Sequence, residues 1–349
     1  MKRKKTKKIM VGNVAVGGDS PITVQSMINT STKDIQNTIK QIRKLEEAGC
    51  HIVRGAITDF EDAKAIKAIK DNTNLPFVAD IQFDYKLAIA AVKNGADCLR
   101  INPGNIGSEV RVKEVVKACK EYRIPIRIGV NSGSIKKEYL NKYGGVNENS
   151  MVYSALEQIR LLENLNYYNM KISLKASSVP LTIKSYQKIS DTIDYPLHLG
   201  VTEAGPAWRG TIKSAVGIGT LLSMGIGDTI RISLTGDPVE EVKVGREILR
   251  SLGLLEEGIE LISCPTCGRT NIDLIRLVSK VEEELKHIKK PLKVAIMGCP
   301  VNGPGEAREA DIGIAGGKGE GIIFKKGKVI KKVKEEYLID ELIKEIESL

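Results

Sequence analysis

The chain has 349 residues, enough for two ordinary domains or for one large domain with a smaller one. Apolar residues make up 42% and charged residues 28%, an ordinary globular composition, and no apolar run is long enough to span a bilayer. The formal net charge of +10 admits nucleic acid, a membrane surface or an anionic small substrate as partner, while an aromatic content of 4% argues against a base-stacking surface.

The N-terminal run MKRKKTKK is basic but is followed by no apolar signal-peptide core. It reads as a solvated tail on a chain that stays in the cytoplasm. The next stretch, KIMVGNVAVG, reads as a hairpin turning at Gly12 and Asn13, placed to plug the bottom of a barrel.

From residue 21 to about 253, apolar strand patterns alternate with helical ones. The expected strands are 22–27, 51–56, 77–81, 97–102, 124–130, 170–176, 197–203 and 229–234. Helical periodicity follows them, for example over 32–48, 85–94, 108–122 and 238–252. Ser31 or Thr32 is the expected cap of the first helix, and Asp237 before Pro238 of the last. Eight β-α units at this spacing predict a closed (β/α)8 TIM barrel; an open doubly wound sheet has fewer strands, and no G-x-G-x-x-G follows the first one.

After residue 255 the pattern changes. A strand at 259–263, a long amphipathic helix over 271–289, a strand at 292–297, short glycine-separated strands and a charged helix from about 335 predict a small α+β domain. The expected division is a substrate-binding barrel over 1–255 and a second domain over 256–349.

Residues at the C-terminal ends of barrel strands face the active site. Those ends carry Arg54, Asp80, Arg100, Arg127 with Asn131, Lys175, Glu203, and Arg231 with Ser233. Salt bridges to Asp80 and Glu203 can absorb one or two of the five basic residues; the excess points to a doubly phosphorylated or otherwise strongly anionic substrate. Either carboxylate could orient a substrate hydroxyl or relay a proton. His198 reads as a core or supporting group.

Of the six cysteines, Cys50, Cys98 and Cys119 lie singly in apolar contexts and read as core residues. Cys264 and Cys267 form a C-x2-C pair, and Cys299 follows after 31 intervening residues. Zinc wants four closed N or S ligands, and the one histidine of this region, His287, lies in the long helix. Cys-Pro occurs at both Cys264 and Cys299, a pairing frequent in iron–sulfur ligation, so a 4Fe-4S cluster is favoured over zinc. Three thiolates leave one iron without a sulfur ligand, and Glu306 is the nearest hard donor in the same loop. A carboxylate there is weakly held and could yield to a substrate oxygen.

The strings ADIQFDYKLA, CLRINPGNIG, IRIGVNSGS, LHLGVTEAG, IRISLTGDPVEEVKVG, CPTCGR and GCPVNGPGEA resemble the bacterial 4-hydroxy-3-methylbut-2-enyl diphosphate synthases. The resemblance runs in order from about residue 5 to the C-terminus, with no room for the extra middle domain of plant-type members. It implies a two-electron reductive ring opening of 2-C-methyl-D-erythritol 2,4-cyclodiphosphate in isoprenoid precursor synthesis. It implies a 4Fe-4S cluster on Cys264, Cys267, Cys299 and Glu306, with flavodoxin or ferredoxin as electron donor. It implies diphosphate binding by Arg54, Arg100, Arg127, Lys175 and Arg231, neighbouring contacts from Asn131 and Ser233, and Asp80 and Glu203 near the reacting carbons. It also implies a homodimer in which the cluster domain of one subunit closes over the barrel of the other. Gln82 stands where the family commonly has histidine, and a supporting role is expected there. The rival reading, a zinc-stabilised nucleic-acid-binding protein, rests on the charge and on C-x2-C alone. A radical S-adenosylmethionine barrel would need a C-x3-C-x2-C motif that is absent.

Overall fold

The computed structural model describes residues 2–299 and 307–349. Two compact units divide the chain, Met1–Leu255 and Glu256–Leu349.

In the first unit, β1 (Ile9–Val11) and β2 (Val14–Val16) form an antiparallel hairpin around Gly12, where φ is +57°. Eight parallel strands follow: β3 (Thr23–Met27), β4 (Ile52–Ala56), β5 (Phe77–Asp80), β6 (Cys98–Ile101), β7 (Ile126–Asn131), β8 (Met170–Lys175), β9 (His198–Leu199) and β10 (Thr229–Ile230). Their order is β8-β7-β6-β5-β4-β3-β10-β9, and a bridge from Ile172 to Leu197 joins the two ends into a closed barrel. β9 and β10 are much shorter than the sequence pattern suggests. Beyond Leu199 and Ile230 the chain leaves the ladder, and Glu203 reaches a left-handed φ of +51°.

Strand alternation sorts the side chains. Val53, Phe77, Leu99, Ile128 and Ile172 point outward into the core shared with the helices. The opposite set points inward, and at the bottom of the barrel it is apolar: Ile52, Val78 and Cys98 pack against Ile9, Val11 and Val16 of the hairpin. The hairpin is therefore the plug expected from the sequence. Above this layer the inward positions turn polar.

Three local expectations are corrected. The first helix, α1 (Ile35–Glu47), is capped by Asp34, whose side chain accepts from the Asn37 N–H, and not by Ser31 or Thr32. Asp34 also accepts from the Asn37 side-chain amide at 2.7 Å. Thr32 instead donates to the Ala56 carbonyl at 2.7 Å. The basic N-terminus is pinned rather than solvated at Arg3 and Lys4. Arg3 donates to the Ser20 and Gly18 carbonyls at 2.6 Å each, and Lys4 to the Ile193 carbonyl at 2.8 Å. The helix expected over 271–289 is shorter, Leu274–Glu284 with Asp273 as cap, and a 3-10 turn follows.

The second unit is built on a five-stranded mixed sheet: β11 (Ile259–Ser263), β12 (Leu292–Met297), β13 (Ile312–Gly316), β14 (Glu320–Lys325) and β15 (Lys328–Lys334), paired in that order. The first three strands are parallel and the rest antiparallel. The Leu274–Glu284 helix and the C-terminal helix Leu338–Glu347 cover one face through Leu277, Val281, Leu338 and Leu342.

Truncating the plug tests its role: Val11→Ala removes two buried methyl groups and should lower unfolding stability by about 2 kcal/mol in a denaturant titration. An unchanged midpoint would show that the hairpin is not a packed part of the barrel.

Candidate active site

The inward residues of the upper barrel are an unusual collection. Asp80, at the end of β5, is buried and flanked by Arg54 from β4 (3.6 Å) and Arg100 from β6 (3.3 Å). Burial alone would push its pKa up, but the Arg54, Arg100 and Arg127 guanidiniums outweigh it and hold the carboxyl below its ordinary range. Arg54 also donates to the Met27 sulfur at 2.8 Å. Burial brings Arg54 down to about 10.

Arg231 lies one residue beyond β10, donates to the Ser233 hydroxyl, and pairs with Glu241 at 3.2 Å. Glu241 sits on the helix Pro238–Ser251 and also accepts from the Leu234 N–H (3.0 Å) and the Ser26 hydroxyl (3.3 Å). Sequence reading missed this carboxylate because it comes from a helix rather than a strand end; Pro238 right after the cap at Asp237 was the available signal that this helix starts at the mouth.

Lys175 ends β8 opposite Asn131, which ends β7. Its ammonium lies where a Cβ on Gly200 would be, at 2.8 Å. Arg100 occupies the same kind of space against Gly129, whose added Cβ would meet the Nε at 2.7 Å. These two glycines clear the centre of the barrel for charged heads.

Arg127 departs from the expected place. It is the second residue of β7, four positions below Asn131, so it rises from the barrel floor rather than from the rim. It is 1% exposed, and its Nε and Nη1 have no hydrogen-bond partner among the described residues. Beside it in register stands Lys171, fully buried and also unpartnered. The sequence pass overlooked Lys171, although in MKISLKA it shares the inward parity of Lys175. His198 is buried at the start of β9 with both ring nitrogens unpartnered. Burial first, then the charges of Arg127, Lys175 and Lys171, push its pKa well down, so it is a neutral imidazole.

The structure thus brings Arg54, Asp80, Arg100, Arg127, Lys175 and Arg231 into one charged interior. Asn131 and Ser233 are partly exposed at its rim, and Glu203 is exposed on the loop after β9. Gln82, just beyond Asp80, is exposed. The carboxylates that pair with the arginines are Asp80 and Glu241; Glu203 has no part in those ion pairs.

In the second unit, Cys264 follows β11 and Cys299 lies two residues past β12, at the same end of two adjacent parallel strands. The Gly298 N–H donates to the Cys264 sulfur at 3.2 Å. The Asn271 N–H donates to the Gly298 carbonyl at 3.0 Å, tying the C-x2-C loop to the Cys299 loop. Gly298 is required there, since a Cβ would stand 2.8 Å from Thr270. Cys267 is exposed, and hydrogen bonds from the Arg269 backbone and side chain lower its thiol pKa. Glu306 lies outside the described residues. Among the described residues, no group of three or more His, Cys, Asp or Glu has a metal-binding arrangement.

A TIM barrel with a cationic interior, joined to a cysteine-bearing α+β unit, defines a class of two-domain barrel enzyme. Residues 6–246 match the GcpE TIM-barrel domain family and residues 260–348 the GcpE protein C-terminal domain family. The 4-hydroxy-3-methylbut-2-en-1-yl diphosphate synthase (flavodoxin) of Caldanaerobacter subterraneus subsp. tengcongensis is 64% identical, covering 99% of this chain and 98% of the relative. That of Clostridium perfringens is 63% identical over the whole of both chains. Accordingly, the protein is a member of the 4-hydroxy-3-methylbut-2-en-1-yl diphosphate synthase family. Among solved structures, a sialic acid synthetase from Leptospira borgpetersenii (TM-score 0.50, 10% identity, 81% of this chain and 98% of that one) shares the fold. A dihydropteroate synthase from Xanthomonas albilineans does so as well (TM-score 0.50, 13% identity, 71% and 98%).

The crowding of cations makes a linked titration. Burial, then the charges of Arg127, Arg54, Arg231 and Arg100, push the Lys175 ammonium well below its ordinary pKa; Lys171 falls to about 8, chiefly through burial. An anion among them favours the protonated forms, raising both pKa values, so anion binding takes up protons and weakens as pH rises. Sulfate does not titrate near neutrality. Calorimetric titration with sulfate at about pH 8 in two buffers of different ionisation enthalpy should therefore show net proton uptake. Proton release, or affinity independent of pH between about 7 and 9, would contradict this arrangement.

Proposed function

We propose that the protein carries out reductive ring opening of 2-C-methyl-D-erythritol 2,4-cyclodiphosphate. Two electrons and two protons enter, the ring carbon–oxygen bond to phosphate breaks, and one hydroxyl leaves as water. The product is 4-hydroxy-3-methylbut-2-enyl diphosphate, an isoprenoid precursor. The observation that carries this reading is the full-length identity of 64% to a synthase of that name, together with a barrel whose cations exceed its carboxylates.

The charge balance supports the substrate class. Four buried or half-buried guanidiniums, Arg54, Arg100, Arg127 and Arg231, face two carboxylates, Asp80 and Glu241, leaving two positive charges before either lysine is counted. Each phosphate of the cyclic substrate carries one ionised oxygen, so a single bound substrate cancels that excess. Guanidiniums bind it through bidentate N–H donors, with Asn131 and Ser233 supplying neutral contacts at the rim. Asp80, committed to Arg54 and Arg100 and held ionised, is suited to orienting a substrate hydroxyl. Glu203, free of such ion pairs, is the carboxylate left to handle a proton.

The electrons are proposed to come from reduced flavodoxin, the donor in the relatives' names, through a 4Fe-4S cluster held by Cys264, Cys267, Cys299 and Glu306. The donor set fits: three soft sulfur donors from two loops tied together at adjacent strand ends, one of them accepting the Gly298 backbone N–H. When bound, such a cluster passes electrons singly from a one-electron donor into a two-electron reduction. The homodimer implied by the resemblance, and a cytoplasmic location, belong to the same proposal.

Anaerobically purified protein should be brown, contain iron and sulfide in equal amounts, and bleach in air. Glu306→Ala should keep the chromophore and lose more than about a hundredfold in kcat. Colourless protein with stoichiometric zinc would sink the cluster assignment, and full turnover by Glu306→Ala would remove the carboxylate from it.

A further inference from the structure

Lys171 has no structural reason to be a lysine. It is fully buried as the second residue of β8, its Nζ has no acceptor among the described residues, and its register neighbour is another cation, Arg127. A buried ammonium without a partner costs several kcal/mol, and an apolar side chain of equal length would fill the same space at no such cost. Other strand side chains of the same barrel are no better satisfied: among the described residues, Arg127 Nε and Nη1, both nitrogens of His198, and both amide atoms of Gln25 are buried without partners. Native interiors leave few such atoms, and here they gather on the strands of one barrel.

The level above is built from small residues. Going up β7 and β8, the next inward pair is Gly129 and Ser173, and after His198 on β9 comes Gly200. The heads of Arg100 and Lys175 close in beside Gly129 and Gly200, where a Cβ would collide with them. A ligand seated at this level would meet those heads from the side, and whatever lies directly below would be its floor.

We propose that Lys171, together with Arg127, forms the floor of the anion site, and that a phosphate group entering the barrel is bound from beneath by both side chains. His198 and Gln25 serve as the neutral donors that complete this floor. The inference rests on the substrate class proposed above and adds to it a residue that grips the phosphate from the closed side of the barrel. Lys171 is paired in register with Arg127 on the adjacent strand, and the charge of each is felt by the other.

The test uses the full chain, purified anaerobically with its metal content intact, and inorganic pyrophosphate as probe. Lys171→Met keeps an unbranched side chain, one heavy atom shorter, and removes the charge. It should weaken pyrophosphate binding by about 10-fold to 100-fold while thermal stability stays level or rises, since removing an unpaired buried charge relieves the fold. Lys171→Arg should retain part of the affinity. Wild-type affinity in Lys171→Met would overturn the proposal, as would a fall in stability matching the loss of binding, which is the mark of a structural lysine. If the wild-type protein itself does not bind pyrophosphate, the anionic-substrate reading fails and this inference with it.

Discussion

Uncompensated positive charge inside the barrel is the constraint on which the other features depend. Closed barrels of this kind are normally filled by branched apolar side chains. Here that filling stops at Ile52, Val78 and Cys98, where the hairpin seals the bottom. Above them the interior holds four guanidiniums, two lysines and only two paired carboxylates. Coulomb repulsion at low dielectric would open such an interior unless the surrounding core held it shut. The outward faces of the strands and the helices supply that core, with Phe77, Leu99 and Ile128 buried against them. The fold bears the cost of these crowded cations, and on the proposed reading a bound anion would offset it.

That arrangement explains the distribution of small and large residues along the strands. Gly129 and Gly200 make room for the charged heads at the central level. Asp80 and Glu241 fix Arg54, Arg100 and Arg231 in place without neutralising the interior, so these side chains meet a ligand already oriented. Among the described residues, Arg127, Lys171 and Lys175 form no ion pairs, and they are the groups with most to gain from an anion.

Much of this was legible in the sequence because strand parity and barrel topology are simple rules. The rule that barrel strand ends face the active site singles out Arg54, Asp80, Arg100 and Lys175, and the eight β-α units imply the barrel. What the pattern missed has identifiable causes. Arg127 was assigned to the rim because its strand runs on to Asn131, four residues further than the arginine. Glu241 comes from a helix, outside any reading of strand ends. Lys171 lies near the start of its strand, away from the C-terminal end where Lys175 stands, so a reading of strand ends passes over it. Glu203 was read as part of a strand that in fact ends at Leu199. In the second unit, cysteine spacing marked the two loops, and the structure ties them through Gly298, Thr270 and Asn271, contacts that spacing alone does not reveal.

The central claim, that a cationic barrel and a cluster-bearing unit together reduce a cyclic diphosphate, is tested most directly by phosphorus NMR of an anaerobic reaction. Full-length protein, reduced flavodoxin and 2-C-methyl-D-erythritol 2,4-cyclodiphosphate are incubated, and the two phosphorus signals are followed while electrons are counted. The account predicts conversion of the cyclic signals to those of a linear diphosphate ester, one product for every two electrons consumed. A cyclic substrate left intact by the fully reduced protein, or opened without consuming electrons, would contradict it.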